Sequence, residues 1–265
     1  MNSLQKIGIA LEGGGAKGAY QIGVLKALTE LNIQYECVVG TSIGALNAIA
    51  YVLKDYKNYS ESWSKFDFFL KEEENEKRKS LSFNLNDILD NLEEFKKEYY
   101  NSEGFNPENI IEMFKNNVDE DSIRKSKIKF GLSTYCLTDE KPLNLFVEDI
   151  PNGLLHEFIF ASCNLPLFTP RMINGKYYID GGVFNPLPIN MLTELGYKNI
   201  ITVRLRSDEY DFKKYENINI VDIAPDEFLS GSLHATKERI DWMLNKGYED
   251  AIDVLINSNL YAPNC

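Results

Sequence analysis

A serine between two glycines is the best candidate nucleophile in this sequence. Residues 40–44 have the sequence GTSIG, a G-x-S-x-G pattern that lies between a predicted strand and a predicted apolar helix. A serine nucleophile needs its hydroxyl presented on a sharp turn, and flanking glycines remove side chains that would collide there. The start of the following helix also stabilises negative charge. We therefore identify Ser42 as the candidate nucleophile, supported by Gly40 and Gly44.

A second glycine-rich segment could bind an anion. Residues 13–18 have the sequence GGGAKG at the start of a predicted helix, where several backbone N–H groups can point at one negative charge. The segment matches the dinucleotide pattern G-x-G-x-x-G, but no acidic residue follows the next strand to hold a ribose. A P-loop would need Ser or Thr after the lysine. An oxyanion hole fits better. Its candidate donors are the amides of Gly13, Gly14 and Gly15, with Lys17 and Gly18 in support.

A serine hydrolase also needs a base, and the chain offers an aspartate and two histidines. Asp180 ends a predicted strand, and the two glycines after it form a tight turn that could direct its carboxylate into a cleft. His234 follows Ser42 and Asp180 in the chain order of an α/β-hydrolase triad, so a Ser42–His234 enzyme is an alternative. His234 stands at the approach to a predicted helix, and His156 stands beside an acidic residue in an amphipathic segment. A structural or solvated role is the better explanation for each histidine. The supporting glycines are Gly181 and Gly182.

The elements that carry these motifs alternate between strand and helix. Short apolar runs predict buried strands over residues 7–11, 36–40, 128–134, 143–147, 176–179, 200–205 and 220–224. Helices are predicted over residues 43–53, 154–163 and 233–256. Asn174-Gly175 is a strong hairpin signal before the aspartate motif. This alternation, with short crossovers, indicates an α/β fold with a mostly parallel central sheet flanked by helices.

The length and the charge pattern indicate one domain with an acidic insertion. A chain of 265 residues fits a single domain over residues 1–265. Residues 54–126 are helical in composition and are predicted to form a helical insertion or cap. Sixteen Asp and Glu residues stand against seven Lys and Arg between Asp67 and Asp121, so most of the net charge of −12 lies there. An aromatic cluster before the acidic run is interpreted as core rather than as a lid. It comprises Trp63, Phe66, Phe68, Phe69 and Leu70.

Composition excludes several classes of function. A net charge of −12 opposes sequence-independent binding to nucleic acid or to anionic lipid. No run approaches the roughly 20 apolar residues of a transmembrane helix, and the first residues lack the features of a signal peptide. The four cysteines are widely spaced, which indicates reduced thiols and no metal site. We therefore expect a cytoplasmic protein.

Together these motifs resemble those of the patatin-like phospholipase family. The resemblance rests on a G-G-G-x-[KR]-G loop, a G-x-S-x-G elbow and a D-G-[GA] motif at Asp180, whose order and approximate spacing agree across most of residues 6–205. Residues 161–170, ASCNLPLFTP, are similar to the loop that precedes the aspartate motif in this family. Asn164 departs from the pattern, because a small residue is frequent at its position.

The resemblance implies a lipid acyl hydrolase with a Ser–Asp dyad and no catalytic histidine. Ser42 would attack the ester carbonyl, Asp180 would accept its proton, and the three glycines would hold the oxyanion. Lys17 would correspond to the basic loop residue of the family, which fixes the loop or adds positive potential for an anionic head group. Phe168 and Phe184 flank the motifs and could line an acyl pocket. No metal or cofactor is implied.

The partners expected are a lipid ester substrate and a membrane surface in transient contact, with no nucleic acid; oligomeric state is not predicted. Two alternatives stay open beside the Ser42–Asp180 hydrolase. One is a carboxylesterase or lipase with a Ser42–His234 triad. The other is a catalytically weak lipid-binding or regulatory protein of the same fold.

Overall fold

The computed structural model describes residues 6–65, 87–232 and 235–261, and one eight-stranded sheet organises them. The strands are β1 (Ile7–Leu11), β2 (Cys37–Thr41), β3 (Lys129–Cys136), β4 (Lys141–Phe146), β5 (Met172–Ile173), β6 (Lys176–Asp180), β7 (Asn199–Val203) and β8 (Asn219–Ile223). The helices are α1 (Ala19–Glu30), α2 (Ile43–Leu53), α3 (Tyr56–Lys65), α4 (Leu92–Tyr99), α5 (Glu108–Asn117), α6 (Glu120–Lys125), α7 (Leu155–Cys163), α8 (Ile189–Glu194) and α9 (Lys237–Ile256).

The centre of the sheet is parallel, as the sequence predicts. Strands β3, β2, β1, β7 and β8 lie side by side and run in the same direction. Leu11 at the end of β1 pairs with Gly40 of β2 and with Val203 of β7, so these strands end at one level. Because parallel strands present their carboxyl ends at a common edge, the loops after β1, β2, β7 and β8 gather there. We call this side the catalytic edge.

Strands β2 and β6 pair with successive residues along the same edge of β3. Strand β4 pairs antiparallel with residues 131–136 of β3. Strand β2 pairs with residues 129–133, and β6 pairs antiparallel with residues 134–136. Both overlap the residues that β4 occupies, so β2 and β6 must share the other edge. The carboxyl end of β2 therefore meets the carboxyl end of β6.

Helices cover both faces of the sheet. On one face α1, α2 and α9 contribute to the largest core cluster, and α1 packs along α9. On the other face the short helix α8 packs against β1 and β2 through Met191 and Leu192. The sequence patterns did not predict α8. Helix α2 begins and ends where its apolar run predicts, and most of it is buried.

The described part of residues 54–126 consists of the four helices α3 to α6 and irregular segments. Helix α4 packs toward β6 through Phe95 and Tyr99, which share a core cluster with Ile179. Of the predicted aromatic cluster, Trp63 is 5% exposed and lies in the main core. Phe66, Phe68, Phe69 and Leu70 lie outside the described residues, as does the acidic run after them.

None of the helices in the described ranges combines the length and the apolar character that crossing a membrane requires.

Candidate active site

Ser42 stands on a strained turn between β2 and α2. Its backbone has φ 55° and ψ −128°, a conformation that a residue with a side chain rarely adopts. The turn is tight enough to exclude side chains on both sides. A Cβ on Gly40 would overlap the backbone of Gly44, and a Cβ on Gly44 would overlap the carbonyl oxygen of Leu11. Side chains at these two positions would therefore collide with the backbone of the turn.

The hydroxyl of Ser42 is hydrogen-bonded to Asp180. Ser42 Oγ donates to Asp180 Oδ2 over 2.5 Å, across 138 residues of sequence. The other carboxylate oxygen, Oδ1, accepts from the backbone N–H of Gly182 at 2.7 Å. A Cβ on Gly181 would overlap the carbonyl oxygen of Ser133, so this turn also needs its glycine. The structure thus brings together the predicted nucleophile and the predicted base.

Burial makes Asp180 a stronger base than an ordinary aspartate. Asp180 is 2% exposed and Ser42 is 9% exposed. Loss of water around the carboxylate raises the pKa of Asp180 to about 6, against the opposing effect of the hydrogen bonds from Ser42 and Gly182. The group is therefore mostly ionised at neutral pH and has a pKa suited to proton transfer there.

Ser162 anchors the elbow to the sheet. Its hydroxyl oxygen accepts from the backbone N–H of Ser42 at 2.9 Å, and its hydroxyl donates to the carbonyl oxygen of Ser133 at 2.7 Å. Ser162 has no exposed surface. It therefore satisfies the amide of the strained residue and fixes it to β3. In the sequence, Ser162 stands out only as part of the segment of residues 161–170.

Asn164 and Cys163 stand next to Asp180. The carbonyl oxygen of Asn164 accepts from the Asp180 N–H at 2.9 Å, and Asn164 Nδ2 donates to the carbonyl of Tyr178 at 2.6 Å and to Tyr99 Oη at 3.1 Å. The departure from a small residue thus connects α4 to β6 beside the base. Burial, followed by the charge of Asp180, raises the pKa of Cys163, so it is a neutral thiol at this site.

The glycine loop lies against the nucleophile, but its first amide is already used. The N–H of Gly13 donates to the carbonyl of Pro186 at 2.9 Å, so the prediction of Gly13 as an oxyanion donor does not fit this geometry. Gly13 instead allows close approach, since its Cβ would lie 3.2 Å from Ser42 Cβ. Within the described residues the amides of Gly14 and Gly15 have no acceptor. They are the donors that the loop leaves available.

A segment before α9 holds the loop in place. The N–H of Ala16 donates to the carbonyl oxygen of Ser232 at 2.8 Å. Gly15 has φ +60°, and a Cβ there would overlap that same oxygen. Gly18, at the end of the loop, lies against Ile43 of α2. Its carbonyl accepts from Asn47 Nδ2 at 2.8 Å, so the one strongly polar residue of α2 ties the helix to the loop.

Glu12, which no sequence motif indicates, stands at the start of the glycine loop and is a buried member of a charge cluster. Glu12 is 3% exposed, and its carboxylate accepts from the Leu205 N–H at 2.5 Å and pairs with Arg206 Nε at 3.3 Å. Burial raises the pKa of Glu12. Lys17 is half-buried, and burial, followed by the charge of Arg206, lowers its pKa although Glu12 opposes the shift. Lys17 therefore belongs to a charge cluster at the loop.

His156 is paired with residues other than Ser42 and Asp180. His156 Nε2 lies 3.6 Å from Glu157 Oε1, near the first turn of α7, and Glu157 is bound by Arg171 at 2.8 Å. Burial lowers the pKa of His156. His234 lies outside the described residues, so the geometry does not test the triad. Nowhere in the described ranges do three or more His, Cys, Asp or Glu side chains form a group that could hold a metal ion.

The two aromatic side chains proposed for an acyl pocket lie in different clusters. Phe168 packs edge-on against Phe160, with ring centroids 5.7 Å apart, beside the main core. Phe184 packs near Tyr135 at 6.5 Å, beside the cluster that includes α4. Their role as an acyl pocket stays a prediction.

Comparison with known proteins gives consistent matches. The sequence profile of a family described as "Patatin-like phospholipase" matches residues 9–193. "Patatin-like phospholipase domain-containing protein 7" of Rattus norvegicus is 27% identical over 213 residues, 79% of this chain. Protein 6 of the same description, from Homo sapiens, is 28% identical over 213 residues, also 79% of this chain. "Lysophospholipase NTE1" of Kluyveromyces lactis is 29% identical over 205 residues, 77% of this chain.

These relatives are much longer, and a solved structure shares the fold. The chain spans 14% of the length of the rat and human relatives and 13% of the K. lactis relative. VipD from Legionella pneumophila is similar in structure, with a TM-score of 0.56 at 14% identity. That similarity covers 95% of this chain and 66% of VipD. At such low identity it shows a common fold.

Proposed function

Because the match over residues 9–193 shows that this chain belongs to the patatin-like phospholipase family, we propose that it hydrolyses carboxylic esters of lipids through a Ser42–Asp180 dyad. The observation that carries the proposal is the 2.5 Å hydrogen bond between Ser42 Oγ and Asp180 Oδ2 on a strained turn. Such a bond is the contact that a nucleophile and its base require.

In the first half of the reaction Asp180 activates Ser42. As Ser42 Oγ attacks the ester carbonyl, its proton passes to Asp180 Oδ2. The tetrahedral intermediate then collapses, the bond to the leaving alcohol breaks, and Asp180 returns the proton to that alcohol. The product is an acyl group esterified to Ser42. An aspartate whose pKa is raised to about 6 supports both proton transfers better than an unshifted one.

The glycine loop provides electrostatic stabilisation for the oxyanion. We propose the amides of Gly14 and Gly15 as donors, because the Gly13 amide is bound to Pro186. Their positions are fixed before the reaction by Ser232 and by the contact between Gly14 and Leu205. Loss of one such donor typically lowers kcat by about 10²–10³-fold.

In the second half a water molecule releases the acyl group. Asp180, again ionised, takes a proton from the water, and the resulting nucleophile attacks the acyl carbonyl. Collapse of the second intermediate breaks the bond to Ser42 Oγ, and the serine recovers its proton from Asp180. The dyad therefore needs no histidine, metal or cofactor for a complete cycle.

The proposed substrates are phospholipid acyl esters. The family description names phospholipases, and the K. lactis relative is described as a lysophospholipase. The chain matches only a small part of each long relative, so further activities of those proteins are not transferred. Lys17 and Arg206 place positive charge beside the glycine loop. An anionic head-group phosphate would be favoured there.

The test is intact-mass analysis after incubation with a fluorophosphonate probe. We expect one adduct on the wild type, none on Ser42→Ala, and a loss of at least about 100-fold in labelling rate for Asp180→Asn. Ser133→Ala removes a buried hydroxyl that bonds Asn144 rather than Ser42 or Asp180, so it serves as a folding control and should label normally. Normal labelling of Asp180→Asn would exclude the dyad.

The same experiment separates the alternatives. His234→Ala should label like the wild type; loss of its adduct, with Asp180→Asn unaffected, would establish the Ser42–His234 enzyme instead. An unlabelled but folded wild type that also fails to hydrolyse phospholipid would favour the catalytically weak lipid-binding protein.

A further inference from the structure

Large exposed apolar side chains are concentrated on the catalytic edge. The described residues include five of them: Tyr100, Met172, Leu195, Phe228 and Ile256. Single exposed apolar residues are ordinary on protein surfaces. Their placement relative to Ser42 is therefore the informative feature, and three of the five stand at the edge from which Ser42 is presented.

Phe228 lies in the segment that leads from β8 to the glycine loop. It is 70% exposed, while the next residue, Leu229, is 1% exposed. Arg239 of α9 donates from its guanidinium to the carbonyl oxygens of both residues. The segment follows β8 at its carboxyl end and reaches Ser232, which binds the loop through Ala16. The backbone that carries this exposed aromatic ring is thus held by α9, four residues before the residue that binds the glycine loop.

Met172 and Tyr100 lie on the same edge, past the end of β2. β6 begins beyond the end of β2 and descends to Asp180, so the β5–β6 hairpin projects past Ser42. Met172, in that hairpin, is 50% exposed. Tyr100 is 37% exposed, and its ring lies 4.7 Å from that of Tyr177 in β6. Both exposed side chains therefore lie on the catalytic edge, beyond the level of Ser42.

The opposite edge of the sheet, where the parallel strands begin, carries clusters of lysine side chains. Two open cavities of about 460 and 320 Å³ lie there, each lined by three lysines: Lys198, Lys213 and Lys214 in the first, and Lys6, Lys127 and Lys129 in the second. An anionic surface would attract that side and turn Ser42 away from it. A productive surface for this protein is accordingly uncharged overall.

We propose that Phe228, Met172 and Tyr100 form an apolar rim that contacts a zwitterionic lipid surface and aligns Ser42 with it. The inference rests on the proposed function, because it assigns the surface from which that site takes its substrate. Partial burial of an aromatic or aliphatic side chain in the interfacial region supplies the contact, without a spanning segment or a cationic patch.

The experiment compares a lipid surface with a dissolved ester. The variants are Phe228→Ser and Phe228→Ser/Met172→Ser, with Leu195→Ser and Ile256→Ser as controls, since both lie toward the opposite edge and are 43% and 47% exposed. The substrates are phosphatidylcholine vesicles and monomeric p-nitrophenyl butyrate. We expect the single rim variant to lose about tenfold in vesicle turnover and the double variant more, with butyrate turnover unchanged. The controls should match the wild type on both.

Vesicle binding is measured separately from turnover. Failure of the proposed hydrolysis can then be distinguished from failure of the rim as a docking surface. Flotation of the Ser42→Ala protein with phosphatidylcholine vesicles is measured as the lipid concentration rises. The double variant Ser42→Ala/Phe228→Ser should bind the vesicles more weakly. Including phosphatidylserine in the vesicles should not strengthen binding. Equal losses on vesicles and butyrate would overturn the rim as a docking surface. No vesicle association, or equal binding with and without Phe228→Ser, would overturn it too and would favour a protein partner at this edge.

Discussion

At the scale of single residues, the groups that hold Ser42 and Asp180 matter as much as the pair itself. Ser162 satisfies the amide of Ser42, and Asn164 accepts from the amide of Asp180. The N–H of Gly182 donates to Oδ1 of Asp180, and the other oxygen, Oδ2, accepts from the Ser42 hydroxyl. Each contact restrains a group of the proposed dyad, and small displacements of catalytic groups reduce rates strongly.

Ser162→Ala tests this positioning role. The substitution leaves the buried N–H of Ser42 without an acceptor and frees the turn from Ser133. We expect the rate of fluorophosphonate labelling to fall by up to about 100-fold, with an unfolding free energy lower by about 1–3 kcal/mol. Labelling kinetics and urea denaturation measure the two effects.

The matched control is Ser133→Ala. Its hydroxyl is also buried, and it donates to Asn144 Oδ1 at 2.6 Å, while its carbonyl still accepts from Ser162. This variant should lose comparable stability and keep its labelling rate. If both variants lost labelling equally, Ser162 would be a folding residue without a special role at the elbow.

At the scale of elements, the site depends on how strands and helices approach one another. β6 follows β2 on one edge of β3, which places the ends of both strands together. Helices α1 and α9 meet through glycines: a Cβ on Gly23 would overlap the carbonyl of Leu244, and one on Gly247 would overlap that of Tyr20. This close packing fixes the segment before α9 against the glycine loop.

Gly247→Ala tests the helix contact. In an exposed helix this change stabilises by about 1 kcal/mol because alanine is the better helix former. Here the methyl group would meet a backbone oxygen that cannot rotate away, so we expect destabilisation by about 1–3 kcal/mol. Thermal and urea unfolding measure it. Asn245→Ala, at an exposed position of the same helix, should not destabilise. A stabilised Gly247→Ala protein would contradict the close contact.

At the scale of the whole molecule, the buried carboxylate opposes folding. Unfolding of a single domain is cooperative, so a local electrostatic penalty appears in the global free energy. The pKa of Asp180 is raised from 3.8 to about 6 in the folded state, which means that the folded protein binds this proton more tightly. The contribution of Asp180 to stability is therefore largest below about pH 4, falls as pH rises, and is lost above about pH 6.

Asp180→Asn should consequently be more stable than the wild type at neutral pH while being inactive. A shift of about two pKa units corresponds to about 3 kcal/mol, so we expect a gain of about 1–3 kcal/mol at pH 7.5 that diminishes toward pH 4.5. Urea unfolding of both proteins at the two pH values measures the difference. A gain independent of pH would contradict the raised pKa.

Asp139→Asn provides a control of opposite sign. Asp139 is exposed to solvent around its carboxylate and pairs with Lys176 at 2.5 Å, and that hydrogen bond lowers the pKa of Asp139. Its contribution is present at neutral pH and is lost as pH falls. The variant should therefore be slightly less stable than the wild type at pH 7.5.

The sequence by itself determined the parallel α/β class, the boundaries of α2 and the hairpin at Asn174-Gly175. Each follows from local chemistry: apolar runs of strand length, an apolar helix, and two residues that accept positive φ, here 48° and 75°. It also determined which residues are fit for the site, because a nucleophile turn requires glycines at fixed offsets. Ser42 was proposed in this way, and Asp180 from the two glycines that follow it.

Only the tertiary structure decided which of these groups meet. The bond between Ser42 and Asp180 spans 138 residues, and it exists because β4 occupies one edge of β3 and leaves the other to β2 and β6. The same packing lets the Gly13 N–H donate to the carbonyl of Pro186 and the Leu205 N–H donate to the carboxylate of Glu12. No local sequence pattern indicates either contact. Periodicity records which face of a segment is buried. Partners distant in sequence follow from the order of strands in the sheet, which depends on the packing of the whole chain.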